Sequence, residues 1–252
     1  LIDAAATFTI SSDASFNSVS IGKGANSVAG NTVLGETALD ASVTGANNTA
    51  IGYQSLSANT SGTQNTAVGG ASARANTTGS YNTAVGHGAL LENTTGSNNT
   101  ALGDDALEVN TTASNNTAVG ANALTANTTG SDNTALGYGA LDANTTASEN
   151  VAVGTNALTD NTTGTSNTAV GRMALGNNTT ADGNTGIGTD ALFNTTTGGQ
   201  NTSVGHNSMF ENTTGNHNVA VGSFALDANT EGTSNTAVGV SALGANTTGI
   251  VN

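Results

Sequence analysis

The sequence predicts an all-β protein, a parallel β-solenoid or β-roll in which one seventeen-residue unit makes one coil. Three observations predict it. A glycine closes a short apolar run at Gly35, Gly52, Gly69, Gly86, Gly103, Gly120, Gly137, Gly154, Gly171, Gly188, Gly205, Gly222 and Gly239, and every step between them is 17 residues. Two packed helices need roughly 30 or more residues per repeat, so the unit is too short for a helical array. Every unit is also rich in Gly, Asn and Thr, which are poor helix formers.

Residues 1–16, LIDAAATFTISSDASF, fall outside the repeat and read as a strand-like cap or connector. Residues 17–34 read as irregular first coils, and 35–252 carry the strict repeat. With Asn82 as position one, position two is Thr or Val (Thr83, Val151, Val219) and position three is small (Ala84, Gly186, Ser203). Position four is a branched aliphatic (Val85, Leu102, Ile187) and position five is the glycine. Positions eight and nine are usually Ala-Leu, and twelve to fifteen are usually Asn-Thr-Thr-Gly, as in Asn93 to Gly96. Strand side chains alternate between faces, so positions two and four share a face opposite to position three. The expectation is that two, four and nine point inward, with Gly and Asn-Thr-Thr-Gly forming corners. Met209 occupies the leucine row and reads as core.

Stacking identical units puts identical residues about 4.8 Å apart and predicts a rod on the order of 60 Å long. Asn65, Asn82, Asn99, Asn116 and Asn133 at position one should stack as an amide ladder, with a second row at position twelve. An inserted residue would break both rows and flip the strand faces, which accounts for the strict period. Position three, read as outward yet nearly always Ala, Gly or Ser, suggests that another chain packs there. A parallel bundle around one axis is the simplest closed assembly. A monomeric solenoid with alanine there by drift is the alternative.

Composition narrows the function. There are 3 basic and 17 acidic residues and a formal net charge of −14. That balance argues against nucleic acid and against an anionic membrane surface, both of which reward Lys and Arg. The chain has no cysteine, so neither disulfides nor thiolate metal sites are expected. No apolar run is long enough for a transmembrane helix. The start lacks a basic region and does not resemble a signal peptide, and Leu1 in place of Met reads as a processed or partial chain.

The residues 17–22, NSVSIG, and 26–30, NSVAG, resemble the S-V-A-I-G motif of trimeric autotransporter adhesin heads. The later Asn-Thr-Ala-Val-Gly units are similar, with Thr for the first Val, and Val151 and Val219 restore it. The longer N-T-A-V-G…A-L…N-T-T-G unit also resembles phage tail-fibre repeats. The resemblance covers roughly residues 17–252. It implies a homotrimeric, left-handed parallel β-roll that is extracellular and binds host surfaces. The unit here is longer than that usual in adhesin heads, and neither a coiled-coil stalk nor a membrane-anchor barrel is recognisable in the chain.

No enzyme signature is present, and no cofactor or metal is expected. Glycine-rich stretches open no helix and so cradle no phosphate. Asp104-Asp105 with Glu108 are paired carboxylates that suit acid–base work or Ca²⁺, and read more simply as a solvated corner. Asp132 and Glu149 stack one period apart at position seventeen and read the same way. Positions six, seven, ten, eleven, sixteen and seventeen vary between units and should be exposed. Large side chains gather there late in the chain: Arg172, Phe193, His206, Phe210 and Phe224 are the candidate ligand-binding residues. Phe193 and Phe210 both hold position ten, one period apart, and should stack; a neighbouring chain covering them is the alternative. The repeat also generates N-glycosylation sequons automatically.

Three functions follow. The first is a non-enzymatic attachment fibre, a virion appendage or cell-surface rod, whose partners are its own copies and a host glycan or protein. The second is a filament polymerising head to tail through its ends, with Leu1, Ile2, Phe8, Ile10, Ile250 and Val251 as assembly residues. The third is an ice-binding solenoid using the row Thr77, Thr94, Thr111 and Thr128.

Overall fold

The computed structural model describes residues 13–252; Leu1, Ile2, Phe8 and Ile10 lie outside them. The described chain is an all-β parallel solenoid of about 12 turns. It begins with an antiparallel hairpin, β1 (Ala14–Phe16) and β2 (Val19–Gly22). Asn17 and Ser18, at φ 50° and 68°, make the two-residue turn. Positive φ at both turn residues matches the right-handed twist of the strands. β2 pairs antiparallel with β3 (Thr32–Gly35), across a short 3₁₀ turn at Ala25–Ser27. The Asp13 carboxylate accepts the Lys23 and Gly24 N–H groups at 2.7 and 2.6 Å and ties this turn to the hairpin. The adhesin-like stretch around Val28 is therefore not a strand.

After β3 every coil contributes one three-residue strand in the same place. These are β4 (Thr49–Ile51), β5 (Thr66–Val68), β6 (Thr83–Val85), β7 (Thr100–Leu102), β8 (Thr117–Val119) and β9 (Thr134–Leu136). They continue as β10 (Val151–Val153), β11 (Thr168–Val170), β12 (Thr185–Ile187), β13 (Thr202–Val204), β14 (Val219–Val221) and β15 (Thr236–Val238). All lie in one 15-stranded sheet in chain order. The register is one unit per step: Thr83 faces Thr100, Ala84 faces Ala101 and Val85 faces Leu102.

The other walls are bonded coil to coil as well. Leu90 N–H donates to Ala106 O at 2.9 Å, and Thr94 N–H to Thr111 O at 2.8 Å. An extra residue anywhere in a coil would therefore break a ladder on some wall.

The strand faces are the reverse of the sequence expectation. Position three is the core: Ala50, Ala67, Ala84, Ala101 and Ala118 are fully buried, whereas Leu102 and Leu136 at position four are 46% and 47% exposed. The interior is closed by Leu at position nine and Ala at position eight from the opposite wall, leaving little more than a methyl's room from β4 onward, whereas β3 at the end of the stack buries Val33. Gly186 measures that room: a Cβ there would stand 3.3 Å from Leu175 Cγ and 3.2 Å from Ala191 O. Ser203 fits the same place by donating its hydroxyl to Ser208 O at 2.8 Å. Position three is small because the coil is thin, so its smallness gives no reason to place a second chain there. Positions two and four line an outward, flat face instead.

Position nine has a second constraint. Leu90, Leu107, Leu124 and Met209 adopt φ of 55°, 53°, 53° and 51°. This left-handed region is costly for β-branched residues, which explains why the deepest core row uses Leu, Met and once Ala, at Ala73, and never Val or Ile. The position-five row needs glycine on two counts. Gly69, Gly86, Gly103, Gly120 and Gly137 have φ between 132° and 144°, and a Cβ on each would fall on the carbonyl of the next glycine in the row.

The asparagine rows both form, with different chemistry. Asn82 Nδ2 donates to Gly96 O at 2.8 Å and closes its own coil, while its Oδ1 accepts the Asn99 N–H at 2.9 Å. Position one is thus chiefly a side-chain-to-backbone staple, not the amide stack expected. The amide ladder is at position twelve: Asn93 Nδ2 donates to Asn76 Oδ1 at 2.8 Å and Asn110 Nδ2 to Asn93 Oδ1 at 2.8 Å. These side chains are fully buried, where satisfied bonds are strong and unsatisfied ones costly.

Candidate functional site

Because core and ladder positions are spent on folding, chemical diversity is confined to corners. One corner joins positions six, seven, ten and eleven. There Phe193 and Phe210 stack with ring centroids 5.4 Å apart and planes inclined by 16°, as their shared position implies. Phe193 lies over Gly176, whose missing side chain makes the space: a Cβ on Gly176 would stand 2.8 Å from the ring. Both rings are half-buried by their own chain. His206, in the same coil as Phe210, meets Phe224 of the next coil edge to face at 5.3 Å. A cavity of about 160 Å³, lined by Asn207, Phe210, Glu211, Phe224, Asp227 and Ala228, joins the two pairs. Four of the five sequence candidates thus form one strip, Phe193–Phe210–Phe224–His206. The fifth, Arg172, is engaged instead by a 2.7 Å ion pair to Asp190 Oδ2. Asn207, Glu211 and Asp227 were not foreseen as partners of the strip.

A second depression, about 310 Å³, occupies the other variable corner. In most coils position sixteen is Ser or Thr and forms a ladder: Ser80 N–H donates to Ser97 Oγ, and Ser97 N–H to Ser114 Oγ, both at 3.0 Å. Asp182, Gly199 and Asn216 take that place late in the chain. The missing side chain at Gly199 opens the floor, with Gln200 and His217 from position seventeen on the flank. The sequence signal was available as a glycine in a serine row, but it acquires meaning only once the row is known to be a wall.

The carboxylates sort differently. His87 Nδ1 lies 3.5 Å from Asp104 Oδ1 and 3.8 Å from Asp105 Oδ1. One donor atom from each of the three falls within 4.8 Å of the others, so among the described residues this is where a divalent cation would find its ligands. Glu108 stands beside them, and partial burial, followed by the charges of Asp105 and Glu92, holds its carboxyl above the usual range. His87 and Asp104 are exposed, so solvent screens the group. Asp132 and Glu149 are each hydrogen-bonded to a neighbouring coil: Asp132 accepts from Asn115 Nδ2 at 3.0 Å and Glu149 from Ser166 Oγ at 3.1 Å.

The threonine rows divide as well. Thr77, Thr94, Thr111 and Thr128 donate their hydroxyls to the next coil's carbonyl at 2.9–3.1 Å. Among the described residues the hydroxyls of the position-two threonines, such as Thr83 and Thr100, make no bond within the chain. Of the sequons, Asn93 is buried in its ladder while Asn98 is exposed. Ile250 and Val251 are exposed too. No described helix is long and apolar enough to cross a membrane. Comparison of the chain with protein-family models, with curated proteins and with solved structures returns no match.

Proposed function

We propose that the chain is the rod of a non-enzymatic extracellular attachment fibre, a virion appendage or cell-surface element, that engages a host glycan or protein through its corners. The observation that carries this reading is the aromatic strip of Phe193, Phe210, Phe224 and His206. Rings lined up on a stiff scaffold and flanked by Asn207, Glu211 and Asp227 present an apolar surface beside polar groups that fix orientation. That combination suits the apolar face and hydroxyl rim of a sugar, or an exposed protein loop.

The rod is proposed to be a homotrimer, consistent with the adhesin-like motif, but through a different face from the one position three suggested. Positions two and four form an uninterrupted outward surface of Thr, Val, Leu and Ile without a charged residue in β4 to β15. By strand spacings this flat face measures on the order of 600 Å², the scale of one side of a standard protein interface. Three such faces around an axis would cover the exposed aliphatic row. Electron microscopy of the native assembly, with binding to cells and glycan arrays, tests the reading. Three-fold rods that bind a host surface support it, and long head-to-tail polymers without binding overturn it.

One observation favours a second use of the same face. The unbonded threonine hydroxyls and aliphatic methyls repeat in register about every 4.8 Å along the axis, which suits ordered water at an ice surface better than the corner row does. A monomer with thermal hysteresis would select this reading over the trimer.

A further inference from the structure

We infer that the depression at Gly199 is a second binding site, for a single neutral sugar residue. This deepens the attachment reading and rests on it.

The site is built by a local break in an otherwise continuous wall. Two of its groups are held in place by the coil ladder. Asp182 Oδ1 accepts the Thr165 N–H at 2.6 Å and the Thr165 hydroxyl at 3.0 Å, leaving Oδ2 without a partner in the chain. Asn216 Oδ1 accepts the Gly199 N–H at 2.7 Å, and its Nδ2 donates to Thr214 O at 2.7 Å, so it is a fixed wall. The Gln200 amide and the His217 ring make no side-chain bond among the described residues and border the same space. Gly199 adds no side chain to the floor, and it admits none easily, since a Cβ there would stand 2.9 Å from Asp182 O.

The chemistry selects the ligand class. A carboxylate oxygen, a carboxamide and an imidazole converge on about 310 Å³, at the lower end of small-molecule sites. A carboxylate accepts from two neighbouring hydroxyls, and an amide both donates and accepts, which matches a vicinal diol. The ring of His217 offers a flat side for the sugar's C–H face. Asp182, in a chain of net charge −14, repels acidic sugars.

The test is titration of the full chain with glucose, galactose, mannose, N-acetylglucosamine, glucuronic acid and N-acetylneuraminic acid, read by NMR at the His217 ring where it is present and at the Gln200 side-chain amide in every chain. The variants are Asp182→Ser with His217→Asn, and separately Phe210→Ala. The first pair introduces residues that other coils carry in the same places, such as Ser114 and Asn115, so the ladder is retained. A neutral sugar that shifts His217, and whose affinity drops at least tenfold in the Asp182/His217 variant but not in Phe210→Ala, is the expected result. Sugar binding that survives the pair and is lost in Phe210→Ala overturns this site and leaves the attachment reading standing. Preference for the acidic sugars overturns the assignment of ligand class. Cell binding without any sugar binding overturns the site alone, and absence of both overturns the site and the attachment reading together.

Discussion

Thr195 leaves the side-chain oxygen of Asn178 without a hydrogen bond. In the position-twelve row each Nδ2 donates to the Oδ1 of the preceding coil, and Asn178 itself donates to Asn161 at 2.8 Å. The next member of the row is Thr195, fully buried, and Asn178 Oδ1 is a buried oxygen with no hydrogen bond. Above the break, Asn212 reaches the Thr195 hydroxyl only at 3.4 Å. Thr195→Asn should complete the ladder and raise stability by about 1–2 kcal/mol. A rise in Tm checks it, and no rise would mean that the amide row contributes little beyond backbone pairing.

Two adjacent glycines separate geometric need from habit. Gly69 has φ of 137° and its Cβ would fall on Gly86 O, whereas a Cβ on Gly70 would meet only the His87 ring at 3.5 Å. Gly69→Ala should cost roughly 3 kcal/mol or more. Gly70→Ala should be neutral or stabilise by about 0.5 kcal/mol through the unfolded chain. Denaturant titration of both variants compares them directly.

The inverted strand faces make a paired prediction. Ala101→Val, into a methyl-sized interior, should lose about 1–3 kcal/mol by overpacking. Leu102→Lys, one residue on and 46% exposed, should leave the coil folded with its circular dichroism unchanged, yet dissociate a trimer formed through this face. Sedimentation velocity and thermal melts distinguish the two effects.

At position nine, Leu124→Met should cost under about 1.5 kcal/mol, since it conserves volume. Leu124→Val should cost about 2 kcal/mol or more, adding the strain of a β-branched residue at φ 53° to a small cavity. Equal melting temperatures for the two would refute the left-handed constraint.

Glu108 predicts a pH dependence. Its carboxyl is raised by burial first and then by Asp105 and Glu92, so the folded chain holds that proton more tightly than the unfolded one. Below the unfolded pKa both states are protonated and nothing is lost. As pH rises through the window up to the raised folded pKa, stability falls. Glu108→Gln should remove this small acid-side decline, which urea midpoints measured across mildly acidic pH would register.

Sequence alone determined the period, and with it every row along the axis. Once seventeen residues make a coil, Phe193 must lie under Phe210, and Asn93 under Asn110, because stacking carries each position onto itself. It also determined that positions two and four oppose position three, since a strand alternates. Which face turned inward was decided by the tertiary structure. Parity is a property of one strand, but the room inside a coil is set by the opposite wall, where the position-nine leucines leave space for one methyl. The corner sites were decided in the same way. His206 and Phe224 hold different positions in successive coils, and Asp182, Gln200 and His217 border one depression where Gly199 interrupts the row. Such contacts run diagonally across the rows, and their geometry depends on how the corners bend, which the period does not encode.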